Sequence, residues 1–212
     1  MPVDVPQYPV NLMVAGRRCL VIGGGSVAAR KVEGLLAAEA TVHVVATRLG
    51  PRVAELEASG AITAEQRPYA PADLDRVWLA VAATDDPEVN RAVFDEGEAR
   101  RVWVNAADDP ASCSYTLPSV VRQGPLLVTV ATGGRSPALA TWLRRHVEAE
   151  LGEEYAVLAE MLSAEREVIR ARGGSTEGLD WISAIESGML ELIREGSIDL
   201  ARERLQACLS SS

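Results

Sequence analysis

Residues 18–46, RCLVIGGGSVAARKVEGLLAAEATVHVVA, carry a strand, a glycine turn, a helix and a second strand in one continuous stretch. The apolar run from Arg18 to Ile22 breaks at Gly23-Gly24-Gly25. Beyond it Val27, Ala28, Val32, Leu35 and Leu36 recur at helical spacing. Thr41 to Ala46 is again apolar and rich in β-branched residues, so the stretch predicts a βαβ unit with parallel strands.

The alternation continues downstream. Residues 50–59 predict a helix, 61–66 a short strand, 77–82 (VWLAVA) a buried strand, 87–99 a helix opened by Asp86-Pro87, and 102–105 (VWVN) another strand. Together these predict an α/β, Rossmann-type doubly wound parallel sheet over residues 1–113. Residues 114–152 change character, with two β-like pieces around Pro118 and Pro125 and then a helix with Ser136 as N-cap and Pro137 at its first position. Leu139, Leu143, Val147 and Leu151 make one apolar stripe on that helix. A strand pair and one stripe are too little for an independent core, so this region predicts a homodimer through residues 114–150. Residues 153–212 show no strand signal; helices over 153–172, 177–195 and 197–209, separated by Gly173-Gly174 and Gly196, predict a small all-helical domain.

Composition excludes several classes. The 212 residues are 48% hydrophobic and 24% charged, enough to bury a core, yet only 4% aromatic with a net charge of -9, which argues against a nucleic-acid binder. The opening MPVDVPQYPV has no leader pattern, and no apolar stretch approaches the roughly 20 residues of a membrane span, so a cytoplasmic protein is expected. Three scattered cysteines and two histidines support neither disulfides nor a resident metal. Lys31 is the single lysine beside 20 arginines. A Tyr-x-x-x-Lys pair ending at Lys31 is excluded because position 27 is valine.

Four segments could carry chemistry. Gly23-x-Gly25-x-x-Ala28 stands after a strand and opens a helix, the context in which glycines admit a dinucleotide pyrophosphate to a helix N-terminus; the plain alternative is a turn that only joins strand to helix. Where an acid usually meets the adenosine ribose, this chain has Ala46, Thr47 and Arg48, so Arg48 keeps a 2′-phosphate and NADP open beside NAD. Thr84 and Asp85 follow the 77–82 strand at the ligand edge, while Asp86 reads as a helix cap. Asn105-Ala-Ala-Asp108-Asp109-Pro110 places two acids at that edge. Asp109 suits a cap, and Asp108, with no such local role, is the candidate acid/base, its pKa raised by its neighbour. Thr132-Gly133-Gly134-Arg135-Ser136 joins a glycine turn and a cation to a helix start, suited to an anion or to ordinary capping. His43 and His146 read as packed or solvated side chains.

VIGGGSVAARKVEGLL, VAATDDPEVN, NAADDP and TGGRSPALA, in this order, resemble the siroheme synthase family's precorrin-2 dehydrogenase/sirohydrochlorin ferrochelatase module over about residues 5–152. The resemblance implies a homodimer that oxidises the tetrapyrrole precorrin-2 to sirohydrochlorin with NAD, and in bifunctional members inserts Fe²⁺. It places cofactor contacts on Ser26, Val27, Thr47 and Arg48, weights the choice toward NAD, and puts the catalytic aspartate at Asp108. Asn105 and Thr132 to Ser136 are the expected substrate contacts; Thr132 stands where bifunctional members often carry serine. Arg135 and the helix start, with Arg17, Arg18 or Arg30, are the expected cations for an eight-carboxylate substrate. The rival readings are a non-catalytic NAD(H)-binding redox sensor and a dehydrogenase of another small acid.

Overall fold

The structure is a computed structural model describing residues 6–210. The leader reading at residues 1–5 and the terminal serines 211 and 212 lie outside the described residues. The chain forms two compact units, one running to Leu117 and including residues 133–135, the other holding residues 118–132 and 136–210.

The first unit contains β1 (Arg18–Ile22), α1 (Ser26–Leu36), β2 (Thr41–Ala46), α2 (Pro51–Ala58), β3 (Thr63–Gln66), β4 (Leu79–Ala82), α3 (Pro87–Arg100) and β5 (Trp103–Ala106). Its five strands are all parallel, in the order β3-β2-β1-β4-β5. The chain reverses direction across the sheet between β1 and β4, and in such sheets ligands bind at the carboxyl ends of those strands. The unbroken apolar runs follow from burial on both faces. In β1, Cys19 and Val21 enter the core layer with α1 and α2, while Leu20 and Ile22 enter the opposite layer with Val93 of α3. β4 divides likewise, Leu79 and Val81 to one side and Ala80 and Ala82 to the other.

Three strand boundaries differ from expectation, the first being the 61–66 strand, which begins at Thr63. The 77–82 strand begins at Leu79; Trp78 lies outside it, 56% exposed, with the Arg17 guanidinium 3.5 Å from its ring centroid. The last strand runs from Trp103 to Ala106 rather than over 102–105. The unit also continues past residue 113. Ser114 N–H bonds to Val104 O at 2.8 Å, and Tyr115 packs on the sheet core with its hydroxyl 3.4 Å from Ala80 O.

The second unit begins with the antiparallel pair β6 (Ser119–Gln123) and β7 (Leu126–Val130), joined through Gly124-Pro125, followed by α4 (Pro137–Glu150). Next come α5 (Glu153–Ala171), α6 (Trp181–Glu186), α7 (Met189–Arg194) and α8 (Ile198–Ser210) around Leu158, Met161, Met189 and Leu205. The helix expected over 177–195 is thus two short ones. Gly188, at φ 90, takes a left-handed conformation that breaks them apart. Among the described residues, no helix is long and apolar enough to cross a membrane.

Candidate functional site

The carboxyl edge of the parallel sheet is built around the three consecutive glycines, and each is needed for a different reason. Gly23 stands at φ 122, and a β-carbon there would lie 2.2 Å from Ala83 O. At Gly24 a β-carbon would meet Arg48 O at 2.1 Å. Gly50 N–H closes the same corner by bonding to Gly24 O at 2.8 Å. Gly25 is different: its φ is -79, and nothing lies within 4 Å of a β-carbon built on it. The protein's own packing therefore requires glycine at 23 and 24, whereas at 25 the missing side chain leaves open approach to the start of α1.

That helix start has no side-chain cap; Gly25 is the N-cap residue, and Ser26 behind it is exposed. Its first N–H groups and the positive end of the helix dipole face this opening. The arrangement fits a dinucleotide phosphate. Val27 is half-buried on the first turn. Thr47 and Arg48 are exposed on the loop that abuts Gly24, with Gln66 Nε2 donating to Thr47 O at 3.4 Å; no hydrogen bond or ion pair engages the Arg48 side chain among the described residues.

Thr84 departs from its expected role. Its Oγ1 sits 2.8 Å from Asn90 Oδ1 and accepts from Asp86 N–H at 3.2 Å, while Asn90 Nδ2 donates to Thr84 O at 3.0 Å. The hydroxyl is thus spent inside the turn that leads into α3. Asn90 is only 5% exposed and organises this turn; a lone Asn on a helix is ordinary, so nothing local in the sequence marks it. Asp86 caps α3 with Oδ1 accepting from Glu88 N–H at 2.8 Å and Val89 N–H at 3.3 Å, which leaves exposed Asp85 as the side chain of this loop open to a ligand.

The adjacent acids after β5 have opposite duties. Asp109 Oδ2 accepts from the buried Ser112 hydroxyl at 2.6 Å and Oδ1 from Ala111 N–H at 3.1 Å. The Ser112 bond, foremost, holds its carboxyl below the usual carboxylate range, so the expected mutual raising of the pair does not govern Asp109. Asp108 is exposed at φ 61, a left-handed turn conformation that Asp tolerates better than most residues, so it too has a local backbone role that the sequence reading did not assign. Its side chain nevertheless makes no hydrogen bond or ion pair among the described residues. Asn105 is 8% exposed, and its Nδ2 donates to Tyr115 O at 2.9 Å, so it pins the chain behind Asp108 instead of presenting its amide to a substrate.

In the 132–136 turn, Gly133 and Gly134 adopt φ 60 and 81. Ser136 N–H donates to Thr132 Oγ1 at 3.1 Å, the Thr132 hydroxyl donates to Ser136 O at 3.1 Å, and Ser136 Oγ caps α4 by accepting from Leu139 N–H at 3.1 Å. Both hydroxyls shape the turn; Arg135 is its exposed cation. Arg17 and Arg18 lie at the amino end of β1, the opposite end of the strand from the glycine turn, and are removed from the candidate substrate cations. Arg30, exposed on α1, remains. His43 packs beside Thr63, its Nδ1 2.7 Å from Thr63 Oγ1, and His146 stacks on Trp142. Lys31 is half-buried on α1.

Residues 10–119 match the NAD(P)-binding family model NAD_binding_7. Over 201 residues the chain is 39% identical to the siroheme synthase of Chromobacterium violaceum, covering 94% of this chain and 43% of that protein. Over 204 residues it is 39% identical to the siroheme synthase of Methylobacillus flagellatus, covering 95% and 44%. The chain thus spans less than half the length of these relatives. Among solved structures, SirC, a precorrin-2 dehydrogenase, superposes with a TM-score of 0.69 over 97% of this chain and 100% of its own at 24% identity, which shows a shared fold. The open glycine at 25, the uncapped start of α1 and these matches agree: the chain belongs to the NAD_binding_7 family of NAD(P)-binding proteins and is related to siroheme synthases along nearly its whole length.

Proposed function

We propose that this chain oxidises precorrin-2 to sirohydrochlorin with NAD. The observation that carries the reading is the pairing, on one sheet edge, of an open turn at Gly25 with a carboxylate at Asp108 that no hydrogen bond or ion pair engages among the described residues. Bound NAD⁺ supplies the hydride acceptor. Asp108 takes the proton that leaves the macrocycle with each hydride equivalent and passes it to solvent, so substrate and NAD⁺ yield product, NADH and H⁺. Gly25 and the first turn of α1 hold the dinucleotide phosphates; Thr47 and Arg48 flank its ribose, and Asp85 borders the other side. Arg30 and Arg135 offset the substrate's carboxylates on a chain whose net charge is -9.

Support comes from the siroheme synthase relatives and from the family match to an NAD(P)-binding fold. The assembly we propose is a cytoplasmic homodimer through residues 114–150. Fe²⁺ enters as a second substrate if the chain also metallates sirohydrochlorin, a step that needs a base to strip pyrrole protons, again at Asp108. Anaerobic incubation with precorrin-2 and NAD tests the reading. NADH and the sirohydrochlorin spectrum should appear together, and no turnover would overturn it. NADH binding without any tetrapyrrole binding would favour a redox sensor instead. Adding Fe²⁺ to the sirohydrochlorin product, against a protein-free control, separates chelation from oxidation.

A further inference from the structure

We propose that the amino edge of the parallel sheet holds a second ligand site, a cleft walled by Trp78 and Trp103 that takes a small aromatic carboxylate against the Arg17 guanidinium. The cleft lies at the opposite end of β1 from the glycine turn, so it is separate from the proposed oxidation and its cofactor.

Local structure builds the cleft. Gly16, at φ 67, turns the chain into β1, its N–H donating to Glu39 O at 2.8 Å while Arg17 N–H donates to Val14 O at 2.9 Å. That turn seats the Arg17 side chain. Its Nε donates to Met13 O at 3.1 Å, and its guanidinium carbon lies 3.5 Å from the Trp78 ring centroid. Trp78 N–H donates to Arg18 O at 3.0 Å and Leu79 pairs in register with Trp103, so the two tryptophans stand at neighbouring strand starts. With Arg17, Leu79 and residues 11–14 they enclose a cavity of about 210 Å³. Val14 and Leu79 are buried, whereas Leu12, Met13, Trp78 and Trp103 are exposed, and large apolar side chains gathered in the open mark a binding surface.

The polar groups of this cavity select an anion. No carboxylate lines it, although the chain carries 30 acids. Arg17 Nη1 and Nη2, both indole N–H groups and the Asn11 side chain make no hydrogen bond among the described residues. Apart from the Asn11 carbonyl, all of these are donors. A guanidinium already held by Met13 O and a ring face presents its remaining N–H groups as a fixed fork, which matches a planar carboxylate bidentately. Volume sets the size of the ligand. Sites for drug-sized molecules run to roughly 300–1,000 Å³, so this smaller cavity takes a single ring with its carboxylate. Two indoles favour an aromatic ring over an aliphatic one, because ring stacking adds to the gain from burial.

The chain has four tryptophans, so ¹⁵N-labelled protein gives four indole N–H signals, assigned by replacing each tryptophan with Phe. Titration with benzoate should shift the Trp78 and Trp103 signals saturably and leave those of Trp142 and Trp181 in place. Benzamide, a neutral molecule of the same shape, should bind at least about tenfold more weakly, and Arg17→Gln should weaken benzoate binding by about the same factor. Unchanged circular dichroism of Arg17→Gln shows that the variant folds; if it does not fold, the benzamide comparison on the wild type decides alone. No saturable shift, shifts confined to Trp142 or Trp181, or equal affinity for benzamide would overturn the site. Inorganic phosphate moving the two signals as strongly as benzoate would overturn the ligand class, leaving a general anion contact. Tighter binding of a short peptide ending in phenylalanine would overturn the small-molecule assignment. None of these readouts uses precorrin-2 or NAD, so they stand whether or not the proposed oxidation does.

Discussion

A β-carbon on Gly24 would sit 2.1 Å from the carbonyl oxygen of Arg48. This contact locks the loop after β2 onto the glycine turn, and the Gly50 N–H bond to Gly24 O reinforces it. The backbone that carries Thr47 and Arg48 is therefore held in place by the protein's own packing.

Alanine at 24 and at 25 should accordingly have opposite effects. Gly24→Ala forces backbone apart and should cost about 2–3 kcal/mol in urea unfolding, with turnover lost in proportion to folded protein. Gly25→Ala meets open space and should cost no more than about 0.5 kcal/mol, yet weaken NADH binding about tenfold by crowding the phosphate path. Fluorescence titration of NADH checks the second effect. Unchanged affinity for Gly25→Ala would mean that the dinucleotide does not use this turn.

The two acids after β5 should also separate. Asp108→Asn removes an exposed carboxylate without a bonded partner among the described residues, so the melting temperature should stay within about 2 °C while kcat falls about 100-fold or more. Asp109→Asn weakens the bonds to Ser112 and Ala111, and about 1 kcal/mol of stability should be lost with a smaller effect on kcat. If Asp109→Asn is the variant that abolishes turnover while remaining folded, the base has been misassigned.

Acid sensitivity should centre on Asp73, which is 8% exposed. Burial opposes its charge, but Arg67 donates to both carboxylate oxygens, at 2.9 and 2.5 Å, and Ala70 N–H donates at 2.8 Å; the net effect holds its pKa below the ordinary 3.8. A lowered carboxylate pKa stabilises the fold fully above the unfolded value and loses that contribution as pH falls through the native value. Asp73→Asn should therefore cost about 2 kcal/mol at pH 7, and the gap to wild type should narrow below about pH 4. A gap that does not change between pH 7 and pH 3 would show that the stabilisation is not electrostatic.

On α4, Leu139 is 48% and Trp142 60% exposed. In the proposed homodimer this face is covered by the second copy, so sedimentation at micromolar concentration should show a dimer. Trp142→Glu should shift it to monomer without a large loss of helical content, because the side chain supports little of its own unit's packing. A wild-type monomer removes the assembly.

The turn at residues 23–25 was legible because three needs converge on glycine there, and helix starts such as Asp86-Pro87 and Ser136-Pro137 were legible because capping is local chemistry. Strand ends were read less well at Trp78, since an apolar residue at the end of an apolar run gives no local sign that its ring stacks under a guanidinium. The helix over 177–195 was read as continuous because one glycine is tolerated in a helix; only its left-handed conformation at 188 makes the break.

The sequence by itself determined the alternating strand and helix order and the place of the dinucleotide turn, both functions of neighbouring residues and their periodicity. It also singled out Asp108 as the candidate acid/base and assigned Asp109 to a cap. Tertiary structure decided which groups are spent and which are open: Thr84 closed on Asn90, Asn105 on Tyr115 and Asp109 on Ser112, while the Asp108 side chain has no bonded partner among the described residues. Those assignments depend on hydrogen-bond partners that the fold brings together through space, and a carboxylate's availability is set by what already donates to it.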